Sequence, residues 1–181
     1  MQMSDQREIA ADPATVYAAL LDPEILKACV PGATEVTGNP TDGYTASVTQ
    51  RVGPVKATFK GVVTMSDMVQ NQSLTIAGEG KGGAAGFARG GAMVTLTPSE
   101  TGTLLAYDVE AKVGGKIAQL GSRLIDGFAK KMADQFFTNL QTTIEGPAAD
   151  TSAPDTPEDD PQGTDKDPAK KGWLKKITGR A

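Results

Sequence analysis

From Val113 to Gly146 the chain runs without a proline, VGGKIAQLGSRLIDGFAKKMADQFFTNLQTTIEG, and then meets Gly146-Pro147. Ile117, Leu120, Leu124, Phe128 and Met132 recur at three- and four-residue steps, the spacing of one apolar stripe on an α-helix. A glycine just past the last periodic residue, with proline behind it, is a stop signal for that helix. Continued four-residue steps through Phe136, Leu140 and Ile144 lag the 3.6-residue period, so the stripe rotates around the axis. A straight helix cannot present such a stripe to a flat surface; it bends, or its partner curls around it. Nearly everything between Ala33 and Val113 reads as strand, so the expected partner is a curled sheet. The residues leave open whether the space between helix and sheet is filled.

The strands alternate. Tyr44, Ala46, Val48 and Val52 alternate with Thr45, Ser47, Thr49 and Arg51; Val55, Ala57, Phe59, Val63 and Met65 with Lys56, Thr58, Lys60 and Thr64; Leu105, Tyr107, Val109 and Ala111 with Leu104, Asp108, Glu110 and Lys112. One apolar and one polar face is the pattern of an antiparallel sheet covered on one side. Gly53-Pro54, Asn71-Gln72 and Glu100-Thr101-Gly102 mark its turns. Upstream, residues 1–10 read as a first strand. Asp12-Pro13 and Asp22-Pro23 each give an N-cap and a first-turn proline, so two short helices precede Pro31-Gly32. On these phases the inward polar groups are Tyr44, Tyr107 and Gln50, with no carboxylate. Cys29 reads as a small buried hydrophobe.

The segment GEGKGGAAGFARGG, residues 78–91, looks like a phosphate loop, but no Gly-Lys-Ser/Thr occurs in it. It reads instead as two strands joined near Gly82–Gly86. Glycine in a strand marks a strong bend or a place where another molecule approaches the backbone, and both readings stand. Ala88, Gly90 and Ala92 would share the inward face.

Composition removes several classes of function. There is no histidine, so Ser-His-Asp and Cys-His nucleophiles, the HExxH zinc site and the ordinary neutral-pH proton shuttle are all excluded. A single cysteine forbids an internal disulfide and permits an intracellular location. A net charge of −4 gives no argument for nucleic acid. MQMSDQREIA has no apolar run of a secretory signal. No stretch reaches the length of a membrane span.

Residues 147–169, PAADTSAPDTPEDDPQGTDKDPA, hold seven acids (Asp150, Asp155, Glu158, Asp159, Asp160, Asp165, Asp167) against Lys166. Such a segment is expected to stay a disordered linker, spanning on the order of 25–30 Å. Residues 170–181, KKGWLKKITGRA, carry five bases and no acid. Trp173, Leu174 and Ile177 would share one side of a short helix beside Lys175 and Lys176, which reads as a tip for a membrane surface or a partner.

The layout is α+β: one strand, two short helices, an antiparallel sheet curled around a long C-terminal helix. It resembles the helix-grip START and birch-pollen-allergen-like (SRPBCC) superfamily. Three stretches are similar to the CoxG family of carbon monoxide dehydrogenase proteins: Ala11-Asp12-Pro13 through LLDPEILKACVPG, the pair VGPVKATFKGVV, and GSRLIDGFAKKMADQFF. The resemblance spans residues 1–146. It implies a non-catalytic accessory protein of an aerobic molybdenum hydroxylase of the carbon monoxide dehydrogenase type. Such a protein would place the enzyme at the cytoplasmic face of the membrane and link it to the quinone pool. With helix-grip relatives that hold hydrophobes between sheet and helix, it implies an apolar cavity.

On the strand phases, the candidate lining is Val48, Phe59, Val63, Ile76, Ala92, Leu105, Tyr107, Val109, Leu124 and Phe128. The expected ligand is a respiratory quinone, menaquinone or ubiquinone, with no covalent cofactor and no metal. The expected partners are the hydroxylase subunits and an anionic membrane surface, reached through Trp173, Leu174, Lys175, Lys176 and Ile177; no nucleic acid is expected. The expected location is peripheral, on the inner face of the cytoplasmic membrane. Three other readings remain: a general lipid carrier, an assembly factor with a filled core, and a helix-grip cyclase or hydrolase, which would need an inward acid or base.

Overall fold

The computed structural model describes residues 1–146. Strand β1 (Gln2–Ile9) is followed by helices α1 (Pro13–Leu21) and α2 (Pro23–Cys29). Six strands come next: β2 (Ala33–Asn39), β3 (Gly43–Val52), β4 (Val55–Val69), β5 (Ser73–Lys81), β6 (Phe87–Pro98) and β7 (Thr103–Gly114). Helix α3 (Ser122–Glu145) closes the domain. Each Asp-Pro pair starts its helix as its chemistry requires. Asp12 Oδ1 accepts from Thr15 N at 3.0 Å, and Asp22 Oδ1 accepts from Glu24 N at 2.8 Å, so two otherwise unpaired first-turn donors are satisfied.

The seven strands form one antiparallel sheet in the order β1-β7-β6-β5-β4-β3-β2. Strands β2 to β7 are a meander, and β1 returns to pair with β7, Met3 opposite Val109 and Arg7 opposite Leu105. The curl has a local cause. A Cβ on Gly61 would lie 2.2 Å from the Glu79 carbonyl oxygen, and one on Gly90 would lie 2.3 Å from that of Glu110. Neighbouring backbones therefore approach at these two points more closely than any side chain allows.

The long C-terminal stretch is not one helix. Strand β7 continues to Gly114, a 3-10 turn occupies Gly115–Leu120, and α3 begins only at Ser122. Gly115 and Gly121 have φ of 79° and 89°, values that favour glycine and interrupt an α-helix. Ile117 and Leu120 thus belong to the connection, and the apolar stripe of α3 starts at Leu124. The predicted stop holds: Gly146 follows the helix at φ 76°.

The packed core fills one end of the curl. Ile9, Leu74, Val94, Leu96, Leu105 and Tyr107 of the sheet meet Val16, Tyr17 and Leu20 of α1, Cys29 of α2, and Phe137 and Leu140 of α3. The ring of Tyr107 stacks on Phe137 at 4.8 Å between centroids. Tyr44 donates from its hydroxyl to the Leu21 carbonyl at 2.6 Å, and Gln50 Nε2 donates to the Pro31 carbonyl. These two inward polar groups fasten the short helices to the sheet.

An apolar cleft between sheet and helix

Directly paired residues of an antiparallel sheet point to one face, so the register sorts the side chains into rows. One inward row crosses the sheet as Met3, Val109, Ala92, Ile76 and Met65. The next, toward the β5–β6 loop, is Ala111, Gly90, Gly78, Val63 and Tyr44. Beyond it come Val113, Ala88, Gly80, Gly61 and Ala46, and then the pair Val48 and Phe59. Side-chain volume drops sharply from the packed end to this end.

Helix α3 does not make up the difference. Its buried side chains, Phe137 and Leu140, are both in its C-terminal half. In the N-terminal half Ile125, Phe128 and Met132 are half-buried and Leu124 is 42% exposed. Facing them, Val48, Phe59, Val63, Ile76, Ala92 and Val109 are half-buried as well. These apolar groups keep solvent contact, unlike the sealed core at the other end, and the region between them is the candidate cleft. The glycines beneath it are not open space. A Cβ on Gly78 would touch Val63 at 3.4 Å, and one on Gly82 would enter the Phe59 ring at 2.6 Å. The bends explain Gly61 and Gly90, and seated side chains explain Gly78 and Gly82.

The eight sheet positions singled out from the sequence therefore share the inward face. Val48, Phe59, Val63, Ile76, Ala92 and Val109 are half-buried on that face, Ile76 and Val109 packing against the core, and Phe128 is half-buried on α3. Leu105 and Tyr107 lie in the packed core instead, at 0% and 4% exposure. Leu124 sits at the cleft's end, against Gly53 in the β3–β4 turn. Trp173, Leu174, Lys175, Lys176 and Ile177, with the linker before them, lie outside the described residues. An open concavity of about 1020 Å³ lies on the other face of the sheet: Val62, Thr64, Ala77, Met93 and Glu110 line it and no residue of α3 does.

The expectation of an inward face without carboxylates is corrected by β1. Asp5 pairs with Tyr107 and Arg7 with Leu105, so both point inward. Arg7 is hydrogen-bonded to Asp134 of α3 and lies 3.5 Å from Asp5. Burial disfavours the Arg7 charge, and the carboxylates of Asp134 and Asp5 outweigh it, so the guanidinium is held protonated more firmly than usual. Burial, with Asp5 acting in the same sense, raises the pKa of the Tyr107 phenol. Arg7 Nε is buried and has no acceptor among the described residues. The signal was present: Met1, Met3 and Ile9 fall at odd positions, which places Asp5 and Arg7 on the same side. Cys29 is fully buried, and burial raises its thiol pKa, so its sulfur is not activated.

Among solved structures, a conserved protein of Geobacillus kaustophilus is 28% identical. It aligns over 80% of this chain and 95% of its own with a TM-score of 0.75. A START superfamily protein from Mycobacterium smegmatis is 15% identical, over 80% of this chain and 97% of its own with a TM-score of 0.59. A protein of Thermus thermophilus is 16% identical, over 80% and 97% with a TM-score of 0.61. At such identities the last two speak for the fold alone. No curated protein sequence matches significantly. The sequence model of the carbon monoxide dehydrogenase CoxG family matches residues 6–145, which take in nearly the whole sheet, both short helices and α3. The curled sheet, the long gripping helix and that match together make this chain a member of the CoxG family, built on the START-type helix-grip fold.

Proposed function

We propose that the protein is an accessory subunit of an aerobic molybdenum hydroxylase of the carbon monoxide dehydrogenase type, and that its cleft holds a long hydrophobic molecule, a respiratory quinone. The observation that carries the reading is the half-exposed apolar lining between the sheet and the N-terminal half of α3. Burying that lining against a ligand would release its remaining solvent contact. The residues fit such a ligand. Val63, Ile76, Val109 and Phe128 offer an apolar path for an isoprenoid chain. In this reading the basic tip at 170–181 tethers the protein to the inner membrane, and electrons from the hydroxylase reach the quinone pool through the bound ligand. Asp5 and Asp134 do not favour an enzyme, because both carboxylates are engaged by Arg7 rather than left as free bases.

The test is binding of a menaquinone or ubiquinone analogue to the Ala92→Phe variant. Ala92 lies between Ile76 and Val109 on the inward row, so the new ring should fill the cleft and abolish binding. Met93→Phe is the control: that neighbour points outward and is 57% exposed, and binding should survive. Melting temperatures of both variants report that the fold is kept. Undiminished binding by a folded Ala92→Phe variant would remove the cleft as the site.

A further inference from the structure

The strand connections collect at two ends of the sheet, and charge divides between those ends. One end holds the β3–β4 turn at Gly53-Pro54, the β5–β6 loop around Gly83–Ala85 and the β7–α3 connection through Gly115–Leu120. These pieces pack together: Leu124 lies over Gly53, the Phe59 ring under Gly82, and Gly86 against the backbone of Gly114 and Gly115. Arg51, Lys56 and Lys60 flank the first connection, Lys81 and Arg89 the second, and Lys112, Lys116 and Arg123 the third; all are exposed. Within residues 49–60, 79–89 and 112–126 the acids are Glu79 and Asp126, and the α2–β2 connection, which reaches the same end with Gly32 against Thr49, adds Glu35 at the start of β2. Glu79 lies 3.7 Å from Lys81, and among the described residues none of the other seven bases has a carboxylate within salt-bridge reach. The turns at the opposite end carry Asp42 and Glu100 and no base, and Asp67 lies near the end of β4 beside them.

Two large apolar side chains interrupt the basic end, Phe87 at 39% and Leu124 at 42% exposure. In the sheet register Phe87 pairs with Lys81, which pairs with Lys60. Two residues along its own strand is Arg89, paired with Lys112. Phe87 thus stands among four bases, with Glu79 beside Lys81 and Arg89 as the acid next to them, and Leu124 follows Arg123 on the first turn of α3.

We infer that this loop end is the face the folded domain lays on an anionic lipid bilayer, with Phe87 and Leu124 entering the headgroup region. A protein partner would offer discrete carboxylates to match particular bases. Here the bases are spread over three connections around apolar tips, which matches a diffuse field of anionic headgroups. Phe59, Phe128 and Leu124 border the cleft at this same end, so a hydrophobe would move between bilayer and cleft without crossing water. That use of the surface rests on the proposed cleft ligand; the docking itself does not.

The experiment uses the full chain with an environment-sensitive fluorophore on a thiol introduced at one position: Phe87→Cys, Leu124→Cys, or Met68→Cys near the opposite end. Cys29 is fully buried, so the label goes to the new thiol. Vesicles containing phosphatidylglycerol should shift the emission at positions 87 and 124 to the blue and leave position 68 unchanged. Pure phosphatidylcholine vesicles should shift none of them. Adding Lys60→Glu, Arg89→Glu and Lys116→Glu should abolish both shifts. The inference is overturned if positions 87 and 124 stay unshifted while the protein sediments with anionic vesicles, if neutral vesicles shift them equally, or if they respond only to an acidic protein. Ala92→Phe should keep the shift while losing quinone binding, so failure of the docking and failure of the cleft ligand read out separately.

Discussion

Single carboxylates carry local order at the acidic end of the sheet. Asp12 accepts from both Thr15 N and Thr15 Oγ1, at 3.0 and 2.7 Å. Glu8 accepts from Ser99 and, at 2.6 Å, from Thr101 Oγ1, tying β1 to the β6–β7 turn. Hydrogen bonds to the charged form lower both pKa values: the Thr15 hydroxyl first and its backbone next at Asp12, Ser99 first and Thr101 next at Glu8. A carboxylate with a depressed folded pKa contributes stability that is present above its unfolded pKa, about 4, and is lost as pH falls through the lower folded value. The melting temperature should therefore drop on acidification below about pH 4. The drop should be shallower in a Glu8→Gln, Asp12→Asn double variant, as calorimetry across that range would show. An identical slope would assign acid melting to other groups.

The halves of α3 do different work. Leu140 is fully buried, and Leu140→Ala should cost about 2–5 kcal/mol through lost burial and the cavity left behind. Leu124 lies over a turn with much of its surface in water, and Leu124→Ala should stay within about 0.5 kcal/mol. Urea titration of both variants measures the contrast, and equal losses would mean that the N-terminal half is packed after all. The helix itself was legible in its period and its stop signal, because burial enforces period and Gly146-Pro147 ends it. Its start was not. Ile117 and Leu120 keep helical spacing by coincidence, and the positive φ of Gly115 and Gly121 is a backbone fact that spacing does not record. The sheet was legible because one face is wet, so Val48 to Val109 could be phased from alternation. Strand β1 was legible as a strand, but its charged inward face was not, because the partner of Arg7, Asp134, is contributed by a helix far along the chain. Which apolar positions are packed, as Leu105 is, and which are left half-open, as Val63 is, depends on where α3 lies, and no single strand encodes that.

Across the whole chain, two basic surfaces are proposed to meet one membrane: the loop end of the folded domain and the tip at 170–181. Attachments joined in one chain reinforce each other, since the second forms at the raised effective concentration set by the first. In the tip, Trp173, Leu174 and Ile177 would each contribute about 1.5–3 kcal/mol if fully buried, and less at an interface. Each of Lys170, Lys171, Lys175, Lys176 and Arg180 adds about 1 kcal/mol near anionic lipid. Ordering the peptide opposes this by about 1–2 kcal/mol per residue, so the tether should be weak, reversible and sensitive to salt. Truncation after Ala169 should sharply reduce the fraction sedimenting with phosphatidylglycerol vesicles, leaving the smaller share held by the loop end. Trp173→Glu should act in the same direction. The melting temperature should not move, because an acidic linker poor in apolar residues separates the tip from the folded domain in sequence. Raising the salt concentration should release the remainder by screening the loop-end bases. A truncated chain that sediments as completely as the full one would place the tether outside the tail and leave the basic end of the sheet as the membrane contact.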